Sequence, residues 1–105
     1  VFNNSMDQKN LFLSSEGDSW FSRNAQFFAN KKKEDDLIYQ LLQRLNIDPK
    51  QNPSLLEVGC SNGYKMDWFK TLGFESYGID PSRLAIEDGV QKGRNLSIST
   101  ADNLP

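Results

Sequence analysis

Histidine is absent from the 105 residues of this chain, which excludes imidazole-based acid–base catalysis and imidazole metal ligation. A single cysteine, Cys60, rules out an internal disulfide. A lone thiol suits a reducing compartment, so the cytoplasm is the expected location. No apolar run approaches the roughly 20 residues of a membrane-spanning helix, and no signal-peptide pattern stands at the start. Nor does one sign of charge dominate: 12 Lys and Arg stand against 14 Asp and Glu, a net charge of −2. Such a chain has no electrostatic pull toward nucleic acid or an anionic membrane, and neither is expected as a partner. The triplet Lys31-Lys32-Lys33 forms no basic patch, because Glu34-Asp35-Asp36 follows at once. Repeats and low-complexity segments are also lacking.

What is present suits one small globular unit with a modest core: 37% apolar and 25% charged residues. Residues 1–17 are polar apart from Leu11-Phe12-Leu13 and are expected to form a flexible N-terminal arm. Residues 18–53 read as a helical cap. Asp18 or Ser19 would cap a first helix, and Trp20, Phe21, Ala25 and Phe28 recur at helical spacing. A second helix is expected from about Lys33 to Leu45. Glu34, Asp35 and Asp36 would sit in its first turn, and Leu37, Ile38, Leu41, Leu42 and Leu45 would form its apolar stripe. The prolines of Asp48-Pro49 and Asn52-Pro53 mark a loop.

From Ser54 the pattern changes to β-α-β-α-β with short loops. Leu55-Leu56-Glu57-Val58 reads as a buried strand. A helix follows from about Asn62 to Leu72, closed by Gly73. Phe74 to Ile79 is a second strand. Pro81 opens another helix, running to about Lys92 with Gly93 at its end and weakened by Gly89. Leu96 to Thr100 is a third strand. Such units build a parallel sheet.

Ligands of α/β sheets bind at the carboxyl ends of the strands, where Gly59-Cys60-Ser61-Asn62-Gly63 lies. Glycine permits positive φ and close approach of a ligand, and the helix N-terminus behind the turn offers N–H groups to an anion. Read alone, the turn serves equally well as a tight connection with no ligand. A P-loop needs Gly-Lys-Ser/Thr at its end, and Gly63 is followed by Tyr64-Lys65. A dinucleotide fingerprint starting at Gly59 needs glycines at positions 61 and 64, which hold Ser61 and Tyr64.

The acid-x-Gly-x-x-x-Gly pattern that remains resembles motif I of the class I S-adenosylmethionine-dependent methyltransferases, an acid followed by G-x-G-x-G, with Ser61 at the middle glycine. Tyr77-Gly78-Ile79-Asp80 resembles the acidic end of that family's second strand. Ser99-Thr100-Ala101-Asp102-Asn103-Leu104-Pro105 resembles its A-D-x-L-P segment. The resemblance covers residues 54–105. It implies a Rossmann-like parallel sheet, incomplete here, with three strands in the order 3-2-1 and N-terminal helices. The family's seven-stranded sheet would make this stretch the first half of a cofactor domain. The chain is therefore expected to be a fragment, inactive alone, with catalytic residues elsewhere.

The same resemblance implies a cofactor site of Glu57, Gly59, Cys60, Ser61, Asn62, Gly63, Asp80, Pro81, Ala101, Asp102 and Asn103. The turn would meet the methionine part, Asp80 the ribose hydroxyls, and Asp102 and Asn103 the adenine. Plainer roles exist for several of these. Asp80 before Pro81 could be an N-cap, Asp102 a solvated loop acid, Glu57 a partner of a backbone amide in the turn and Cys60 a small filler. Trp20, Phe21, Phe27 and Phe28 suit a core more than a lid. Arg23, Asn24, Tyr64 and Lys65 are further contact candidates.

The leading expectation is the S-adenosylmethionine-binding portion of a methyltransferase acting on a small-molecule acceptor, with S-adenosylhomocysteine as product. The alternatives are an inert nucleoside- or S-adenosylhomocysteine-binding module and, less favoured, half of a nucleotide-dependent oxidoreductase. An open, apolar edge strand would invite a homodimer.

Overall fold

Three short strands pair into one parallel sheet in a computed structural model that describes residues 4–102. In chain order the elements are α1 (Asn4–Asn30), a single 3-10 turn (Lys33–Asp35), α2 (Leu37–Leu45), β1 (Ser54–Val58), α3 (Tyr64–Thr71), β2 (Glu75–Asp80), α4 (Arg83–Gln91) and β3 (Leu96–Ile98). The strand order is β1-β2-β3, which read from the opposite edge is the expected 3-2-1. Leu56 lies opposite Tyr77, Glu57 opposite Gly78 and Val58 opposite Ile79, while Gly78 also faces Leu96.

One face of the sheet carries the core. Cys60, Met66 of α3 and Ile86 of α4 close over it, with Leu96 against them. Gly78 is required there, since a Cβ would fall 2.3 Å from Met66 Cε and 2.6 Å from Cys60 Sγ. Side chains alternate along a strand, so Leu56, Val58 and Tyr77 point the other way and stay about half exposed. The expected buried character of β1 is thus corrected: one face is covered and the other is not.

The N-terminal region differs most from expectation. Residues 1–3 of the expected arm lie outside the described residues, but from Asn4 the segment is one continuous helix with residues 18–30. The reason is tertiary. At Gly17 helix α1 approaches α4 so closely that a Cβ would sit 3.1 Å from Ser82 Cβ. Asp18 lies inside α1 rather than capping it, and its carboxylate reaches the first turn of α4, accepting from Ser82 Oγ at 2.6 Å and Leu84 N–H at 3.1 Å. Helix α2 starts later than expected because Asp36 is its N-cap, accepting from Tyr39 N–H at 3.0 Å. Its stripe is not core: Leu37, Ile38, Leu41 and Leu45 are all exposed, and Tyr39 is its buried residue.

Candidate functional site

The turn after β1 takes a conformation that L-residues rarely adopt. Gly59, Ser61 and Gly63 all have positive φ, +76°, +56° and +73°. Ser61 thus adopts a left-handed backbone conformation, at a cost of about 1–2 kcal/mol for a residue with a Cβ. Gly63 is the N-cap of α3.

The turn is fixed from below, from β2 and from α4. Ile79 C=O accepts Gly59 N–H at 2.8 Å and Cys60 N–H at 3.0 Å. Asp80 Oδ2 accepts Ser61 N–H at 2.8 Å, and its Oδ1 accepts Ser82 N–H at 2.9 Å. Asp80 therefore ties the first strand–helix turn to the second. It is not the N-cap of α4. That role belongs to Ser82, whose Oγ accepts Ala85 N–H at 3.1 Å. Pro81, expected inside the helix, precedes this cap.

Asn62 is buried and braced on several sides. Its side chain donates to Asp88 Oδ2 at 3.0 Å, and its Oδ1 accepts Tyr64 N–H at 3.2 Å. Its carbonyl accepts from Arg94 Nη1 at 2.9 Å, and Arg94 also grips Asp67 through Nε and Nη2. Asp88 lies below the usual carboxylate range: burial opposes this, but bonds from Lys92 and Asn62 outweigh it. Gly89 lets α4 press onto the turn, since a Cβ there would sit 2.2 Å from Asn62 O. This bracing was not foreseen; the glycine inside an otherwise helical pattern was its one sequence signal.

Most N–H groups expected to await a ligand have internal acceptors: Gly59, Cys60, Ser61, Gly63 and Tyr64 all donate within the chain. Among the described residues the N–H of Asn62 forms no such bond. Ser61 Oγ is buried without a hydrogen-bond partner.

Beside the turn, a cleft of about 460 Å³ runs along the free edge of β1. Trp20, Ile38, Leu42, Glu57, Tyr64 and Lys65 are among its walls. Trp20 and Tyr64 both pack on the buried Phe28, with ring centroids 5.1 and 4.6 Å away. Phe28 is thus core, as expected, whereas Trp20 is half exposed to the cleft and Phe27 is exposed. Lys65 is held by Asp36 at 3.2 Å, which Lys31 also approaches at 3.6 Å. Burial would raise the Asp36 carboxyl, but Tyr39 N–H, Lys65 and Lys31 together hold it below the usual range. Burial pushes the Glu57 carboxyl up from 4.5 to about 7, opposed by Lys65 and reinforced by Asp36 and Asp80. Cys60 is only 1% exposed, and burial with the nearby acids raises its thiol to about 12, which suits a filler and not a nucleophile.

Ala101 and Asp102 lie in an exposed turn after β3, where Thr100 Oγ1 donates to Asp102. Asn103 lies outside the described residues. Asn24 bonds back to Trp20 C=O on its own helix at 2.8 Å. Among the described residues no cluster of acids and cysteine is arranged to hold a metal, and no helix is long and apolar enough to cross a membrane.

No protein-family model matches the chain, and no curated protein matches it.

Proposed function

We propose that the chain is the S-adenosylmethionine-binding portion of a methyltransferase acting on a small-molecule acceptor, built on a Rossmann-like sheet. One observation carries this: Gly59, Ser61 and Gly63 alternate in the left-handed region, with Ser61 N–H held by the acid that ends the next strand. A plain connection needs no residue with a Cβ in the left-handed region between two glycines that already take it. Maintaining one at a serine suggests that the shape of the turn matters.

The residues present suit the cofactor. The cleft has a volume typical of small-molecule sites. A carboxylate has about four acceptor positions; two of those on Asp80 are taken by backbone N–H groups, which leaves capacity for a ribose diol. The Asn62 N–H and Ser61 Oγ are polar groups of the turn without an internal partner. Asp102, in its exposed turn, is the candidate for the adenine amino group. The cofactor supplies a methyl group on a positive sulfur, which leaves as a neutral thioether. The protein's share is positioning. A cytoplasmic setting suits the unpaired thiol of Cys60. The free edge of β1 favours pairing with a second copy, and a sharp monomer in light scattering at high concentration would count against it.

The test is calorimetric titration with S-adenosylhomocysteine, NAD and ATP, using the chain, Asp80→Ala and Asp102→Ala. Binding of the first ligand alone, weakened in both variants, is the expected result. Preference for NAD or ATP, or affinity untouched by either substitution, would overturn the proposal.

A further inference from the structure

The cleft along β1 has an unusual balance of walls. Two aromatic rings, Trp20 from α1 and Tyr64 from α3, flank it, and both pack against the buried ring of Phe28. Its charged lining residues are Glu57 and Lys65. They are not equivalent. Lys65 is drawn to Asp36, which is joined from the other side by Lys31. Lys65 Nζ lies 6.0 Å from the Tyr64 centroid, at the outer limit of a cation–π contact. Asp80, the other nearby acid, has both oxygens on backbone N–H groups. Among the described residues no cation comes within ion-pair distance of Glu57, and no donor bonds its carboxylate.

We infer that this cleft takes a ligand with a fixed positive charge, seated against the Trp20 and Tyr64 rings beside Glu57, and prefers it to an uncharged analogue of the same shape. This deepens the methyltransferase reading, on which it rests only for the natural ligand, whose sulfonium is such a charge. Aromatic faces attract cations through the ring quadrupole. A desolvated carboxylate without a partner gains most from a cation and gives up its proton when one arrives. Burial, with Asp36 and Asp80 nearby, raises the Glu57 carboxyl against the pull of Lys65. The groups that act on it are Lys65 of α3, Asp36 before α2 and Asp80 of β2; of these only Lys65 opposes a second cation, and its charge is already offset by Asp36.

Choline and 3,3-dimethyl-1-butanol have the same shape and differ in charge. Trp68→Phe leaves Trp20 as the one tryptophan, so its fluorescence reports the cleft. At pH 8, with Glu57 charged, choline is expected to bind about tenfold more tightly than the alcohol. In Glu57→Gln the preference should fall to about threefold or less. Trp20→Leu, followed by calorimetry, should weaken choline about fivefold and leave the alcohol nearly unchanged. Equal binding of the two probes, no binding of either, or a preference unchanged in both variants would overturn the inference. A parallel titration with S-adenosylmethionine separates the two proposals. If choline is preferred but the cofactor is not bound, the methyltransferase reading falls and the cation site stands. If the cofactor is bound without any choline preference, the reverse holds.

Discussion

Asp80 and Ser61, 19 residues apart, are joined by a 2.8 Å bond from the serine N–H to the aspartate carboxylate, and this bond locks the first strand–helix turn to the second. The same carboxylate holds Ser82 N–H at 2.9 Å, so one side chain sets the spacing of two turns. Asp80→Ala should lose about 2–3 kcal/mol of stability, because two backbone donors lose a charged acceptor. Asp80→Asn keeps one acceptor oxygen and should lose about half as much. Urea denaturation of the two variants checks the ranking.

Ser61 offers a prediction of opposite sign. It has positive φ, and its hydroxyl is buried without a partner. Ser61→Gly removes both penalties and should stabilise the chain by about 1 kcal/mol after the added freedom of the unfolded glycine is counted. Ser61→Ala removes only the orphan hydroxyl and should gain less. If the glycine variant is the less stable in thermal melts, the strain argument at this position is wrong.

Gly89→Ala tests the contact between α4 and the turn. Helix propensity alone favours alanine by about 1 kcal/mol. A Cβ 2.2 Å from Asn62 O cannot be accommodated by a side-chain rotation, because the obstacle is backbone. Overpacking of this kind costs about 1–3 kcal/mol or more, so a net loss of about 2 kcal/mol is expected. Amide chemical shifts near Asn62 and Arg94 should move, while those of α2 should not.

Glu57 gives a pH dependence. Its carboxyl titrates near 7 in the folded chain, against an ordinary 4.5. The folded state therefore holds its proton more tightly than the unfolded one. That contribution to stability is complete below about pH 4.5 and is lost as pH rises through 7. Wild type should be less stable at pH 8 than at pH 5 on this account. Glu57→Gln should flatten the decline and be the more stable form at pH 8. Parallel denaturation curves at the two pH values decide it.

The sheet was legible because β1 and β2 are followed closely by Gly59 and Pro81, β3 alternates apolar and polar residues, and helical patterns separate the three. Gly73 and Gly93, expected at helix ends, have positive φ there. The N-terminal half was harder to read. Nothing local in residues 4–17 marks a helix, and its placement depends on Gly17 and Asp18 meeting Ser82, 64 residues beyond Asp18. The stripe of α2 misled because periodicity says which residues share a face, not whether anything covers it. In the candidate site, the glycine spacing pointed to the turn itself. The brace formed by Asn62, Asp88 and Arg94 joins residues with no sequence relationship, and the rise of Glu57 comes from burial that no spacing reports.

Cys60, enclosed beneath the turn, also makes the molecule its own reporter. A thiol that is 1% exposed and titrates near 12 should be almost inert to alkylating reagents while the turn is shut. Its slow modification would then clock the opening of this one segment. A ligand that closes over Ser61 and Asn62 should slow that clock by the factor with which it favours the closed form. The rate of a single chemical reaction thus measures occupancy of the site without any label having been added.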